Sequence, residues 1–247
     1  MNTMKGIILT GGTGSRLYPL TKTTNKCLLP VGDEPMVYRM IDLLKKSGIT
    51  EIMLVTGVEH MGQVITTLGS GSEFGCDITY KVQDRADGIA AALKLCRDFV
   101  KNSKFAVILG DNIFSDHDII SAHVHKFSQS AEDWMLFCKK MSDPNRFGVL
   151  KFENDVVVDV IEKPKTPVSD YAVVGLYCYT PDVFEIIDGL QPSARGEYEI
   201  SDVNSTLVRS KWLTGSVCDV TCDWVDAGTH ESYRRANQIV WKTKLRS

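Results

Sequence analysis

Three groups of residues in this chain are of types that handle phosphate, metal and sugar-like hydroxyls. The first is the segment 5–30, KGIILTGGTGSRLYPLTKTTNKCLLP, where Ile7, Ile8 and Leu9 run into Gly11, Gly12 and Gly14, followed by Arg16 and Lys26. Glycines at a strand end let the backbone reach positive φ and bring N–H groups close to a ligand. Such arrays favour anions, phosphates above all. Arg16 adds a planar fork of donors suited to phosphate oxygens, and Lys26 adds a compact mobile charge. Backbone donors, a fork and a point charge together form equipment for a polyphosphate. The second group is a pair of carboxylates, Asp111 at the end of the apolar run FAVILGD and Asp226 in DWVDAGT. Mg²⁺ prefers oxygen ligands and phosphate partners, so the two form a candidate magnesium pair. The third is Glu162 and Lys163 in IEKP, directly after VVVDVI. A carboxylate there can accept paired hydrogen bonds from vicinal hydroxyls.

Each feature has a plainer reading when taken singly. The glycines can be a tight turn with two surface cations, Asp111 a turn or capping aspartate, and any one lysine a solvated charge. The loop is not a P-loop, because no lysine stands next to the glycines as G-x-x-x-x-G-K-[ST] requires. It is not a dinucleotide fingerprint either, since Leu17 stands where the third glycine belongs. Asp116 and Asp118 form a D-x-D that imitates a glycosyltransferase metal motif, but acids at that spacing suit the first turn of a helix. A glycosyltransferase reading would also leave Arg16 and Lys26 without a task. No Ser-His-Asp order, cysteine nucleophile or metal-binding histidine cluster stands out.

The elements that must position these residues alternate between strand and helix, without an internal repeat. Met36, Val37, Met40, Ile41, Leu43 and Leu44 fall on one helical face after Pro35, with Gly48 at the end. EIMLVTG reads as a strand, HMGQVITTLG as a short helix, ITYKVQ as a strand, GIAAALKLCRDFV as one strong helix and FAVILGDN as an apolar strand. The second half adds the strand WMLFCKKM, a hairpin turning near Asn154–Asp155, the strand YAVVGLYCYT and helices over PDVFEIIDGL and ISDVNSTLVRS. LTGSVCDVT reads as a strand, and a final helix begins near Glu231. This order predicts an α/β fold, Rossmann-like, with a mixed, mostly parallel central sheet and helices on both faces. Ligands bind such sheets at the carboxyl ends of strands, where the glycine loop, Gln83 and Asp111 all fall.

Composition narrows the class. The chain has 247 residues, 43% hydrophobic and 24% charged, with a formal net charge of −3. It is read as one domain over 1–247, with a nucleotide-binding half to about residue 130 and a sugar-binding half over about 131–247. There is no basic footprint for a nucleic acid polymer and no apolar run approaching the roughly 20 residues that span a membrane. The start MNTMK carries no signal-peptide pattern. Seven scattered cysteines suit reduced thiols in a cytoplasmic protein.

GGTGSRLYPLT followed by NKCLLP resembles the signature of the sugar-1-phosphate nucleotidyltransferases, with glucose-1-phosphate thymidylyltransferases as the nearest branch. The resemblance continues through VQDRADGIAAAL, ILGDNIF, RFGVL, IEKP, SARGEYEISDVN and WVDAGTHES, and so covers nearly the whole chain. It implies a nucleotide-diphospho-sugar transferase fold and nucleotidyl transfer. A sugar-1-phosphate oxygen attacks the α-phosphorus of dTTP, pyrophosphate leaves, and the product is dTDP-glucose. It implies Mg²⁺ on Asp111 and Asp226. The nucleotide falls to Leu9, Gly11, Gly12, Thr13, Gly14, Ser15, Arg16, Gln83, Gly88 and Asp111. Arg16 is placed on the β- and γ-phosphates, Lys26 on the α-phosphate and Lys163 on the sugar phosphate. Gly148, Glu162, Val173 and Arg195 complete the sugar-phosphate side. Two positions depart from the family pattern. Cys27 stands where glutamine is usual, which leaves UTP open beside dTTP, and Thr10 stands where alanine is usual. The C-terminal helical segment of longer relatives is missing, so a homodimer or monomer without the matching regulatory nucleotide site is expected. A nucleotidyltransferase that uses UTP or another sugar 1-phosphate, or a nucleotide-sugar binding protein without turnover, is the alternative.

Overall fold

The computed structural model of the protein describes residues 4–245. Strand β1 (Lys5–Leu9) leads through three short 3-10 turns to a ribbon of β2 (Pro30–Val31) and β3 (Glu34–Pro35), then α1 (Met36–Lys46). Next come β4 (Glu51–Gly57), α2 (Met61–Leu68), β5 (Asp77–Gln83), α3 (Ile89–Lys94) and α4 (Arg97–Val100). The chain continues with β6 (Phe105–Leu109), β7 (Asn112–Phe114), α5 (His117–Gln129) and β8 (Trp134–Lys140). The remainder is β9 (Gly148–Glu153), β10 (Val156–Glu162), β11 (Tyr171–Tyr179), α6 (Val183–Gly189), α7 (Ile200–Arg209), β12 (Gly215–Asp219), β13 (Trp224–Asp226) and α8 (His230–Lys244).

The central row of the sheet runs β5, β4, β1, β6, β11, β8, β12. β5, β4, β1 and β6 are parallel, with Ile8 beside Leu54 and Ile108. β11 lies antiparallel to both β6 and β8, and β12 is parallel to β8. One strand of the row therefore runs against its neighbours, as a mixed, mostly parallel sheet requires. β9 joins β11 at Ala172, and the β9–β10 hairpin turns at Asn154 and Asp155 with φ of 50° and 63°. That consecutive left-handed pair is the geometry asparagine and aspartate tolerate in tight hairpins.

Alternation along the strands divides the core between two faces. Ile8, Ala106 and Ile108 pack with α1, α2, α5 and α8, whereas Ile7, Leu9, Phe105 and Val107 pack with α3, α4, α6 and α7. α1 buries the six apolar residues of its stripe, the arrangement expected of a helix lying on a sheet. The expected single helix over GIAAALKLCRDFV is divided. Leu95 and Cys96 form a turn in which Cys96 N–H reaches Leu93 O at 2.9 Å and Phe99 N–H reaches Cys96 O at 3.1 Å. The tighter bonding keeps Leu93, Cys96 and Val100 all buried against the sheet. All seven cysteines are buried and free. Among the described residues no helix is long and apolar enough to cross a membrane.

Candidate active site

The carboxyl ends of β1, β5 and β6 open into a cavity of about 380 Å³ whose wall includes Leu9, Gly11, Gly12, Arg16, Lys26, Gln83, Gly88, Asp111, Gly148, Glu162, Lys163, Val173, Arg195 and Asp226. The structure thus brings together fourteen positions that the sequence scatters over some 220 residues. Thr13, Gly14 and Ser15 belong to the same first turn but are not on the cavity wall.

The first turn is built so that Arg16 and Lys26 face the cavity. Gly12 and Gly14 have φ of 96° and 60°, conformations that disfavour a side chain. Buried Leu17 anchors the 3-10 turn that carries Arg16. Thr10, at the end of β1, donates through its hydroxyl to Val55 O at 3.0 Å and so ties the loop to β4. Asn25, 5% exposed, donates to Thr10 O at 3.1 Å and accepts from Cys27 N–H at 2.8 Å. It therefore caps the short turn that presents Lys26. Cys27, on the same turn, is buried at the cavity wall, and burial raises its thiol to about 12.

Lys26 forms an ion pair with Asp111, and both side chains are largely buried. Burial alone would lower the Lys26 pKa, but the Asp111 charge overrides it and the ammonium is held well above the ordinary range. Burial likewise opposes ionisation of Asp111, and Lys26 with hydrogen bonds from its neighbours holds that carboxyl below the ordinary range. Asp226 arrives by strand pairing: β13 lies antiparallel to β7 with Asp226 opposite Asn112, and Ala227 N–H donates to Asp111 O at 2.8 Å. Burial and then the Asp111 charge raise the Asp226 carboxyl from 3.8 to about 6, against the pull of Lys26 and Arg16. Gly228 permits this crowding. A Cβ there would stand 2.7 Å from Asp226 Oδ1 and 3.0 Å from Arg16 Nη2.

Two adjacent carboxylates, one of them ill at ease with its own charge, suit a divalent cation. Asp226 Oδ1 is buried without a hydrogen-bond partner. Among the described residues no cluster of three or more histidine, cysteine or acidic side chains could hold a metal. A pair of oxygen ligands completed by phosphate oxygens and water is the arrangement Mg²⁺ uses. The donor set fits that ion. Asp116 and Asp118 are elsewhere employed: Asp116 caps α5 through Asp118 N–H and Ile119 N–H, and Asp118 pairs with Lys46 at 2.9 Å.

Across the cavity, Glu162 ends β10 and is held by Ser201, whose hydroxyl donates to Glu162 Oε2. Gly148 makes room, since a Cβ there would stand 2.7 Å from Ser201 Oγ. Lys163 adopts φ of 40° and donates its N–H to Phe147 O at 3.0 Å, which turns its side chain back to Glu162 Oε1 at 2.9 Å. Arg195 Nη2 also reaches Glu162 Oε1, at 3.1 Å. Val173 lies on β11, two residues before Gly175. At Gln83, Nε2 donates to Asp87 Oδ1 at 2.7 Å. Gly88 has φ of 109°, and a Cβ on it would stand 2.4 Å from Tyr198 O. Its lack of a side chain thus lets the 87–90 segment meet the backbone of the 193–199 loop.

Several contributors escaped sequence reasoning. Asn112, 2% exposed, donates to Asp111 Oδ1 at 3.0 Å while its own Oδ1 accepts from Gly175 N–H and Trp224 Nε1–H, each at 2.8 Å. From the start of β7 it joins Asp111, β11 and β13 at one point beside the carboxylates. Asn25, Ser201 and Glu199 act in the same supporting manner. Only Asn112, adjacent to Asp111, carried a hint in its position; the others are polar residues in segments that read as turns or helix starts.

Comparison with known proteins gives the family. A family model described as Nucleotidyl transferase matches residues 5–243. A glucose-1-phosphate thymidylyltransferase of Neisseria meningitidis serogroup A is 41% identical over 238 residues, which cover 96% of this chain and 82% of that protein. A solved Bacillus anthracis structure, assigned as a glucose-1-phosphate thymidylyltransferase and holding a sucrose, is 52% identical. It covers 96% of this chain and 95% of its own, with a TM-score of 0.89. A UDP-glucose pyrophosphorylase complexed with UDP-glucose is 25% identical, covers 97% of this chain and 99% of its own, and has a TM-score of 0.83.

Proposed function

The chain belongs to the nucleotidyl transferase family, and from that premise we propose that it condenses dTTP with glucose 1-phosphate to give dTDP-glucose and pyrophosphate. The observation that carries this reading is the single cavity in which Lys26, Asp111 and Asp226 face Glu162, Lys163 and Arg195. The sugar phosphate is already an anion, so its oxygen needs no strong general base. The obstacle is the meeting of two polyanions. Two unit charges about 4 Å apart repel by roughly 4 kcal/mol at an effective dielectric of 20, and several such pairs are involved. The site answers with fixed cations.

Arg16 holds the β- and γ-phosphates, and Lys26 leaves Asp111 to meet the α-phosphate. Gln83 and Gly88 face the base: Asp87 and Gly88 O hold the Gln83 Nε2, which leaves Oε1 as an acceptor for the N3–H of a pyrimidine. Glu162 accepts the sugar hydroxyls, Gly148 and Val173 line that side, and Lys163 with Arg195 holds the sugar phosphate. Mg²⁺ on Asp111 and Asp226 would supply further charge neutralisation at the phosphates. A new bond forms between the sugar-phosphate oxygen and the α-phosphorus while the bond to the β-phosphate oxygen breaks in line. The half up to about residue 130 supplies the nucleotide side, the remainder the sugar side, and Asp226 crosses between them. The enzyme works in the cytoplasm. Cys27 offers no amide beside Lys26, which favours tolerance of UTP as a second donor.

Purified protein with dTTP, glucose 1-phosphate and Mg²⁺ should release pyrophosphate, and a parallel assay with UTP measures the tolerance. Lys163→Ala should lower that rate on the order of 100-fold while melting like the wild type. Wild-type inactivity with every pyrimidine triphosphate would overturn the proposal.

A further inference from the structure

Glu199 stands at the N-cap position of α7, yet its side chain caps nothing. It is 7% exposed, and a buried carboxylate requires partners. Both oxygens are given to the loop before it. Oε1 accepts from Ser193 Oγ at 2.7 Å, from Arg195 Nε at 3.2 Å and from Arg195 Nη2 at 2.8 Å, and Oε2 accepts from Nη2 at 2.8 Å. The Nε–Nη2 edge of the guanidinium is thereby clamped to one rigid acceptor.

The clamp itself is held. Tyr198 N–H donates to Asp87 O at 2.7 Å, and Tyr198 O accepts from Ala90 N–H at 3.2 Å. Ser193 N–H donates to Glu197 O at 2.9 Å, closing the loop on itself. Arg195 also has competing acceptors, Glu162 at 3.1 Å and Glu197 at 3.4 Å. Nη2 already shares its hydrogen bonds between Glu199 and Glu162, so without the Glu199 charge the guanidinium would close fully onto Glu162, the carboxylate assigned to the sugar hydroxyls, and turn away from an incoming phosphate.

We propose that Glu199 is a positioning residue for the sugar phosphate: it holds the Arg195 guanidinium by its Nε–Nη2 edge, limits the contact with Glu162 to the single Nη2 bond, and leaves the Nη1 side for the ligand. This rests on the assignment of Arg195 to the sugar phosphate. Bidentate, charge-assisted contacts supply geometry as well as energy, so their loss acts on affinity for one substrate alone.

The test is calorimetric and does not depend on turnover. Binding of glucose 1-phosphate and, separately, of dTTP is measured for wild type, Glu199→Gln, Arg195→Ala and the double variant. Glu199→Gln should weaken glucose 1-phosphate about ten-fold and change dTTP by less than about two-fold. The double variant should bind glucose 1-phosphate no more weakly than Arg195→Ala alone, because Glu199 acts through Arg195. Additive losses, or equal weakening of both ligands, would overturn the proposal, as would an unchanged affinity in Glu199→Gln. Wild type that binds no glucose 1-phosphate also overturns it, whereas wild type that binds but does not turn over refutes only the proposed reaction. Should Glu199→Gln fail to fold, Ser193→Ala removes one anchor and leaves the charge. It should weaken glucose 1-phosphate in the same direction by a smaller factor, and no change would count against the clamp.

Discussion

Replacing Asp226 by asparagine should stabilise the metal-free protein while removing its activity. The Asp226 carboxyl is raised from 3.8 to about 6, first by burial and then by the neighbouring Asp111 charge. At 1.36 kcal/mol per pKa unit, keeping it ionised in the fold at pH 7.5 costs about 3 kcal/mol relative to the unfolded chain. The sign follows from proton occupancy. Between 3.8 and about 6 the folded state holds more protons than the unfolded one, so stability falls as pH rises. The penalty is absent below that window and complete above it. Asparagine has nearly the same shape without the charge, and it can also donate to the buried surroundings. For a chain of this length the gain corresponds to a rise in Tm of about 6–12 °C at pH 7.5. The assay is thermal unfolding of both proteins in a chelator, from pH 4.5 to pH 8. The gap should be widest above pH 6 and should shrink as the pH is lowered. Turnover with dTTP and glucose 1-phosphate should fall on the order of 100- to 1000-fold, since one of the two carboxylates that would hold Mg²⁺ is gone. A variant that melts below wild type at pH 7.5, or a gap that does not change with pH, would refute the account of a carboxylate held ionised against its surroundings.

Asn112→Ala should destabilise the fold by about 3 kcal/mol, because the Gly175 N–H and the Trp224 Nε1–H lose their buried acceptor, at roughly 1–3 kcal/mol for each orphaned donor. Urea unfolding measures it, and a loss under 1 kcal/mol would mean that water replaces the amide. Gly88→Ala should cost at least about 2 kcal/mol through backbone strain at φ of 109° and the 2.4 Å approach to Tyr198 O. It should also weaken both substrates in calorimetry, since that backbone joins the Gln83 side of the cavity to the Arg195 loop.

Much of the secondary structure could be read from local pattern. The stripe of Met36, Val37, Met40, Ile41, Leu43 and Leu44 is a property of side-chain period, and the hairpin at Asn154–Asp155 is a property of turn chemistry; both are found where expected. The break at Leu95–Cys96 was not legible, because nothing in GIAAALKLCRDFV disfavours a helix. The division follows from the way Leu93, Cys96 and Val100 must all reach the same sheet face. Residue type also marked out Arg16, Lys26, Asp111, Glu162, Lys163 and Asp226 as candidates, and the fold brings all six to one cavity.

Their partnership had another origin. That Asp226 lies beside Asp111 depends on β13 pairing with β7 at one register, and that Arg195 faces Glu162 depends on the 193–199 loop docking against the 87–90 segment. The side chains that aim the site, Asn25, Asn112, Ser201 and Glu199, are uncharged or ordinary in sequence and take their meaning from buried partners up to 112 residues away. Periodicity and turn preference act over a few residues, so a sequence records them directly. Strand order and register are set by the packing of the whole sheet, and only the folded chain decides which distant groups share a hydrogen bond or a charge.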